Sequence, residues 1–205
     1  MNNRWVDLII ELQSIAQAGL TYGKDMYDKE RYERIREISA EMMSNITDIP
    51  LEKIRNLFCN EIGYQTPKID TRGAIFKDNK ILLVHENNGK WSLTGGWCDV
   101  NVSIAENTIK EVKEEAGLDV ITERLIAVQD WRKHNVVNYA YGVCKTFLLC
   151  SVVGGSFTEN IETTGYDYFS EDNLPVLSVE KNSEEQIKMC FSAYRKGNDW
   201  KTLFD

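Results

Sequence analysis

The sequence predicts an α/β (α+β) body, helices packed on a mixed sheet, preceded by a small all-helical domain. Three observations predict it. Apolar residues at helical spacing occupy residues 1–62, short strand-like runs broken by turn residues begin at Thr71, and a well-capped amphipathic helix interrupts those strands at 104–116. A hydrophobic fraction of 42% supplies a core and excludes a disordered or collagen-like chain.

In the first segment, Trp5, Leu8, Ile9, Leu12 and Ile15 make one apolar stripe, and Gly19 and Gly23 punctuate its end. A second helix is expected over 28–43, with Tyr32, Ile35, Ile38 and Met42 on one face and Arg and Glu on the other. A third begins near Pro50, a residue suited to a first helical position, and carries Ile54, Leu57 and Phe58. Residues 63–70, with Gly63 and Pro67, read as a linker to a domain over 71–205. There, 72–76 and 80–84 read as strands joined by a Lys77-Asp78-Asn79-Lys80 hairpin turn. Asn87, Asn88 and Gly89 turn the chain again before a short strand at 90–93. After the helix at 104–116, strands are expected near 121–130, 140–153 and 166–169. A closing helix over 184–196 starts with a Ser183/Gln186 capping box and stops at Gly197.

Charge and composition narrow the function. The net charge is −8, and residues 1–62 hold eight basic against eleven acidic residues, so no DNA-binding surface is expected and tight RNA binding is disfavoured. An acidic chain still takes phosphates when a divalent metal supplies the positive charge. The five cysteines are scattered without a CxxC pair, which fits free thiols and a cytoplasmic protein. No apolar run approaches the ~20 residues that span a bilayer, and the N-terminus has acids inside its apolar stretch, so neither membrane nor export is expected. With only His85 and His134, histidine-based zinc or triad chemistry has little to work with.

The informative stretch is Gly95-Gly96-Trp97-Cys98-Asp99-Val100-Asn101-Val102-Ser103 and the helix after it. Ser103 and Glu106 form a capping box. Ala105, Ile109, Val112 and Ala116 make a narrow apolar stripe, and Glu111, Glu114 and Glu115 crowd one side of the last two turns. Three glutamates near a helix C-terminus oppose the helix dipole and repel one another. A solvated acidic face is one reading. The other is a set of hard oxygen ligands for Mg²⁺ or Mn²⁺, beside a Gly-Gly loop that permits close backbone approach.

This stretch resembles the Nudix box, G-x5-E-x7-R-E-U-x-E-E-x-G-U with U aliphatic, in register from Gly96 through Lys110-Glu111-Val112-x-Glu114-Glu115-x-Gly117-Leu118. The runs RGAIFKDNKILLV, GKWSLTGGW and YFSEDNLP are similar to the strands and loops around that box. The likeness covers roughly 70–205. The helical first segment resembles that of a bacterial Nudix subgroup which includes CDP-choline pyrophosphatases. The resemblance implies a Nudix-like α/β/α sandwich. Three positions depart from the pattern: Val102 stands for the motif Glu, Lys110 for the motif Arg, and Thr94 where Pro is frequent. In the family the Glu and Arg pair with each other; here Glu106, four residues before Lys110, is the expected replacement partner.

The resemblance implies metal-dependent hydrolysis of the pyrophosphate bond of a nucleoside diphosphate joined to another group, with CDP-choline as the leading substrate. The alternatives are ADP-ribose or a nucleotide sugar, RNA-end processing, and a non-catalytic nucleotide sensor. Glu111 and Glu115 are expected to ligate the metal directly, Glu114 to hold a second metal or its waters, and a carbonyl of the Gly95-Gly96 loop to complete the site. Glu159 and Glu162 are candidates for the general base, or belong to a surface loop. Arg72 reaches a substrate phosphate or is a strand-end surface charge. Trp131, Tyr139 and Tyr141 stack a base or pack in the core. Lys145 alternates with apolar neighbours and points into the cleft or out to solvent. Trp91 and Trp97 are expected to pack around the Gly loop. Trp5, Leu8, Ile9 and Leu12 are the expected homodimer patch, against the alternative of packing on the chain's own catalytic domain.

Overall fold

The structure, a computed structural model, describes residues 4–47, 49–58, 62–135, 142–158 and 160–205. It divides into two units: residues 1–67 with 138–142, and residues 68–137 with 143–205. Among the described residues, no helix is long and apolar enough to cross a membrane.

The first unit contains α1 (Arg4–Tyr22), α2 (Met26–Ile46) and α3 (Leu51–Phe58). Helix α2 is longer than its apolar pattern suggests because Asp25 caps it, its carboxylate accepting from the Tyr27 and Asp28 amides. Val6, Ile9 and Ala16 on α1, Ala40 and Met43 of α2 and Ile54 of α3 are all buried. The expected single stripe on α1 divides in two. Ile9 is buried, whereas Trp5 (64% exposed), Leu8, Leu12 and Ile15 lie on a separate, solvent-facing row.

The second unit is an α/β/α sandwich around a mixed sheet. It contains β1 (Lys68–Lys77), β2 (Lys80–Glu86), β3 (Trp91–Ser92), α4 (Ile104–Ala116), β4 (Leu118–Asp130), α5 (Trp131–His134), β5 (Val143–Gly155), β6 (Thr163–Phe169), α6 (Glu184–Lys196) and β7 (Leu203–Phe204). The strand order is β3-β2-β1-β5-β4-β7, with β6 also paired to β2. Strands β1 and β5 run parallel at the centre, and β4 runs antiparallel to β5. The β1–β2 turn matches its sequence signal: Asp78 and Asn79 both take positive φ, 50° and 57°, as a tight hairpin requires. Strand β1 begins at Lys68, so the last three residues of the expected linker belong to the sheet.

Side chains alternate across the central strands, and each face has its own helix. Ala74, Phe147, Leu149 and Ile126 pack with Ile187, Cys190 and Phe191 of α6. Ile75, Leu148, Cys150 and Leu82 pack with Val112 and Ala116 of α4. The site is built where α4 crosses the middle of the sheet. Short β7 and α5 carry too few residues for a periodic signal. The first is held by parallel pairing to β4, and the second by the Asp130 carboxylate accepting from the Arg132 amide.

Helix α4 begins as its sequence specifies. The Ser103 hydroxyl accepts from the Glu106 amide and the Glu106 carboxylate accepts from the Ser103 amide. Ser103→Ala therefore should cost about 1 kcal/mol of unfolding free energy. Glu106→Gln should leave it unchanged, because Gln serves equally at the third helical position. Urea unfolding of the two variants checks both, and equal losses would refute the capping assignment.

Candidate active site

The loop before α4 is an extension of the sheet. The Thr71 and Gly73 amides donate to Gly96 O and Thr94 O, both at 2.9 Å, and the Cys98 amide donates to Ile69 O at 2.9 Å. This lays 94–98 along β1. Gly95 takes φ 139°, and a Cβ there would lie 1.9 Å from Thr71 O, so only glycine fits. Its amide donates to Glu115 Oε2 at 2.8 Å. At Gly96 a Cβ would stand 2.7 Å from Glu111 Oε2, so that carboxylate rests directly on the loop. Thr94 is fully buried, with its hydroxyl donating to Gly73 O at 3.4 Å.

Helix α4 thus brings Glu111 and Glu115 to the Gly-Gly loop. Glu115 is 3% exposed. Burial pushes its carboxyl up to about 7, against the pull of Arg72, the Gly95 amide and Lys181. Burial also raises Glu111, with Lys110 opposing. Glu114 is exposed and lies 3.9 Å from Lys110 Nζ. Among the described residues, no three His, Cys, Asp or Glu side chains converge into a ready metal-binding group. Of the expected loop carbonyls, Gly96 O already accepts from Thr71, while Gly95 contributes through its amide.

The expected Glu106–Lys110 pair does not form. Glu106 is committed to the capping box, and Lys110 Nζ instead meets Asp99 Oδ2 at 2.7 Å. The i,i+4 spacing alone did not show that the helix N-terminus already claims this carboxylate.

Beside the glutamates lies a buried charge cluster on the α6 side of the sheet. Asp70 and Arg72 are two apart on β1, and Asp70 stands opposite Lys145 in the parallel β1–β5 register, so all three share one face. Arg72 donates from Nε and Nη2 to Asp70 Oδ2 at 3.3 and 3.0 Å, and from Nη1 to Leu93 O at 3.3 Å. Lys145 Nζ is 3.6 Å from Asp70 Oδ2 and donates to the carbonyls of Glu180 and Lys181. Neither cation is a surface charge. Burial and the neighbouring Arg72 bring Lys145 down to about 8, although Asp70 opposes. Lys181 reaches Glu86 at 3.1 Å, and Asn88 donates to the same carboxylate. Glu86 and Lys181 have no spacing signal in the sequence and were not anticipated; register and chain reversal alone bring them here.

Glu162 is exposed, on a loop pinned to the end of α4: Asn160 Nδ2 donates to Glu114 O at 2.9 Å and Thr163 Oγ1 donates to Glu115 O at 2.6 Å. Trp131 is buried at the start of α5, with only 3% of its surface open. Trp91 packs on Phe169, whereas Trp97 is substantially exposed. Glu159, Tyr139 and Tyr141 lie outside the described residues.

Comparison with known proteins decides the family. The Bacillus subtilis (strain 168) protein named "Putative ADP-ribose pyrophosphatase YjhB" is 44% identical over all of this chain and 99% of its own length. The chain belongs to the Nudix hydrolase family. This Nudix enzyme is a pyrophosphohydrolase. Its residues 3–58 match the family described as "UDP-X-like, N-terminal oligomerisation domain". A crystal structure of an ADP-ribose pyrophosphatase from Streptococcus suis 89-1591 is 51% identical, covering 68% of this chain and all of that one, with a TM-score of 0.64. A crystal structure of UDP-X diphosphatase is 32% identical over all of this chain and 99% of that one, with a TM-score of 0.65.

The raised Glu115 carboxyl has a measurable consequence. The folded Nudix chain binds this proton more tightly than the unfolded chain. The group's stabilising contribution is therefore complete below its ordinary value of 4.5 and is lost as pH rises through about 7. With chelator present, the wild type should lose on the order of 1–3 kcal/mol more than Glu115→Gln across that window. Urea unfolding at pH 4.5 and pH 8 measures it; the same change in both proteins would show that Glu115 does not titrate there.

Proposed function

We propose that this Nudix enzyme hydrolyses the pyrophosphate bond of ADP-ribose or a closely related nucleoside diphosphate conjugate, with a divalent cation held at Glu111 and Glu115. The observation that carries the substrate is the pair of ADP-ribose pyrophosphatase relatives, at 44% and 51% identity. They favour ADP-ribose over CDP-choline, the substrate that the sequence resemblance placed first. The likeness to UDP-X diphosphatase over the whole chain supports UDP-linked conjugates as the second reading.

The donor set fits a hard cation such as Mg²⁺ or Mn²⁺. Glu111 and Glu115 are carboxylates one helical turn apart on a rigid helix, and both face the Gly95-Gly96 loop. Glu115 is nearly buried and held out of its comfortable charge state, and a nearby divalent charge would favour its ionised form. Glu114, on the open side, is placed to hold water or a second ion. When bound, such a cation supplies charge neutralisation on phosphate oxygens and lowers the pKa of water.

The chain's own residues do the remaining work. The Gly95 amide fixes the Glu115 carboxylate, and the loop backbone leaves no side chain between Glu111 and an incoming phosphate. Buried Arg72, tied to Asp70 and to Leu93 O at the start of the loop, favours the ionised form of Glu115 that a cation needs. Glu162 is a candidate base because Asn160 and Thr163 anchor its loop to the end of the catalytic helix. Hydrolysis of ADP-ribose by water at either phosphorus gives AMP and ribose 5-phosphate.

A panel of ADP-ribose, UDP-sugars and CDP-choline with Mg²⁺ or Mn²⁺, read by chromatography of products, tests the assignment. ADP-ribose should give AMP, chelation should abolish turnover, and Glu115→Gln should lower kcat by about 10²-fold or more. Undiminished turnover in chelator would refute the metal site, and preference for CDP-choline would refute the substrate.

The first unit serves in this reading as a homo-oligomerisation domain, most simply a two-fold dimer, and binds no nucleic acid. The row Trp5, Leu8, Leu12 and Ile15 is its contact surface. Free thiols at Cys98, Cys144, Cys150 and Cys190 suit the reducing cytoplasm. Light scattering should show a dimer for the wild type and a monomer for Leu8→Glu/Leu12→Glu; a dimer in both would move the interface elsewhere.

A further inference from the structure

Lys110 stands among three carboxylates. Its Nζ is 2.7 Å from Asp99 Oδ2, 3.5 Å from Glu111 Oε1 and 3.9 Å from Glu114 Oε2. The backbone of Asp99 is held independently of Lys110. Its amide donates to Asn107 Oδ1 at 3.3 Å, and fully buried Asn107 donates in turn to Thr71 Oγ1 at 2.9 Å. The preceding amide, of Cys98, is bonded to Ile69 O on β1. Sheet and helix thus hold the backbone of Asp99, leaving its half-exposed carboxylate beside α4.

A lysine next to Glu111 and four residues before Glu114 is a resident competitor for any cation those glutamates hold. Its shortest contact, however, is to Asp99. We infer that Asp99 is a positioning residue that takes the closest contact of Lys110 and restrains it from closing further on Glu111 and Glu114, leaving the acidic face of α4 accessible to an exchangeable divalent cation. The inference rests on the proposal that Glu111 and Glu115 hold that cation. It differs from a simple tether between loop and helix. A tether is broken equally by losing either partner, whereas a restrained competitor does harm only when it is released.

The test is Mn²⁺ binding to the full-length chain, read from the electron paramagnetic resonance signal of free Mn²⁺, with thermal unfolding in chelator as a control for folding. The proteins are the wild type, Asp99→Asn, Lys110→Gln, the double variant, and Glu115→Gln. Asp99→Asn should raise the Kd for Mn²⁺ on the order of threefold to tenfold, an effect that shrinks with added salt as for other exposed charges. Lys110→Gln should bind at least as tightly as the wild type, and the double variant should match Lys110→Gln. An unchanged Kd in Asp99→Asn, or a double variant as weak as Asp99→Asn, would overturn the inference. Should Asp99→Asn melt lower, its comparison with the double variant, which shares that change, still isolates Lys110. Glu115→Gln separates the two levels. If it binds Mn²⁺ as well as the wild type, the metal site itself is misplaced and the inference falls with it.

Discussion

The bond from the Gly95 amide to Glu115 Oε2, 2.8 Å long, is where strand, loop and helix meet. The loop can offer that amide only because its neighbours pair with Thr71 and Gly73 of β1. The helix can accept it only because Val112 and Ala116 seat α4 against the sheet. The backbone at 95 must take a conformation closed to any residue with a Cβ. One amide does not offset the cost of enclosing a carboxylate, so Glu115 is left with a raised affinity for positive charge. The chemistry of the site follows from that imbalance.

How much was legible in the sequence depended on whether a signal was local. The capping box of α4, its stop at Gly117 and the hairpin turn at Asp78-Asn79 are written in adjacent residues, and the structure follows them. The spacing of Glu111 and Glu115 placed them on one face beside the glycine loop. Local signals competed where one group had two suitors. Glu106 was four residues from Lys110 and three from Ser103, and the helix end took it. Lys145 alternates among apolar residues, and alternation cannot say which face is the interior; the register opposite Asp70 decides that. Glu86 and Thr163 sit at strand ends and Lys181 and Asn160 in turns and loops, all distant in sequence, with no period to announce them.

Helix α1 shows the same limit. Val6, Ile9, Gln13 and Ala16 share one buried row, and Trp5, Leu8, Leu12 and Ile15 share an exposed row with the same spacing, one residue earlier. A helix apolar on both rows reads as a single broad stripe, and the presence of Gln13 and Gln17 in the buried row disguises which side faces inward. The exposed row is a regular apolar feature that packing within the described residues leaves uncovered.

The Asp70–Arg72–Lys145 cluster constrains how this pocket can diverge. Each charge is enclosed, and Asp70 is the one anion shared by two cations, so replacing it strands both, a far larger penalty than exchanging the whole set for apolar residues. The three positions lie on two strands separated by most of the domain in sequence, yet they are energetically one position. A single-step path that begins by replacing Asp70 is therefore the costliest one across this face. Descendants of this chain can vary the exposed loops freely, but they inherit the pocket floor as a unit or rebuild it through coupled changes.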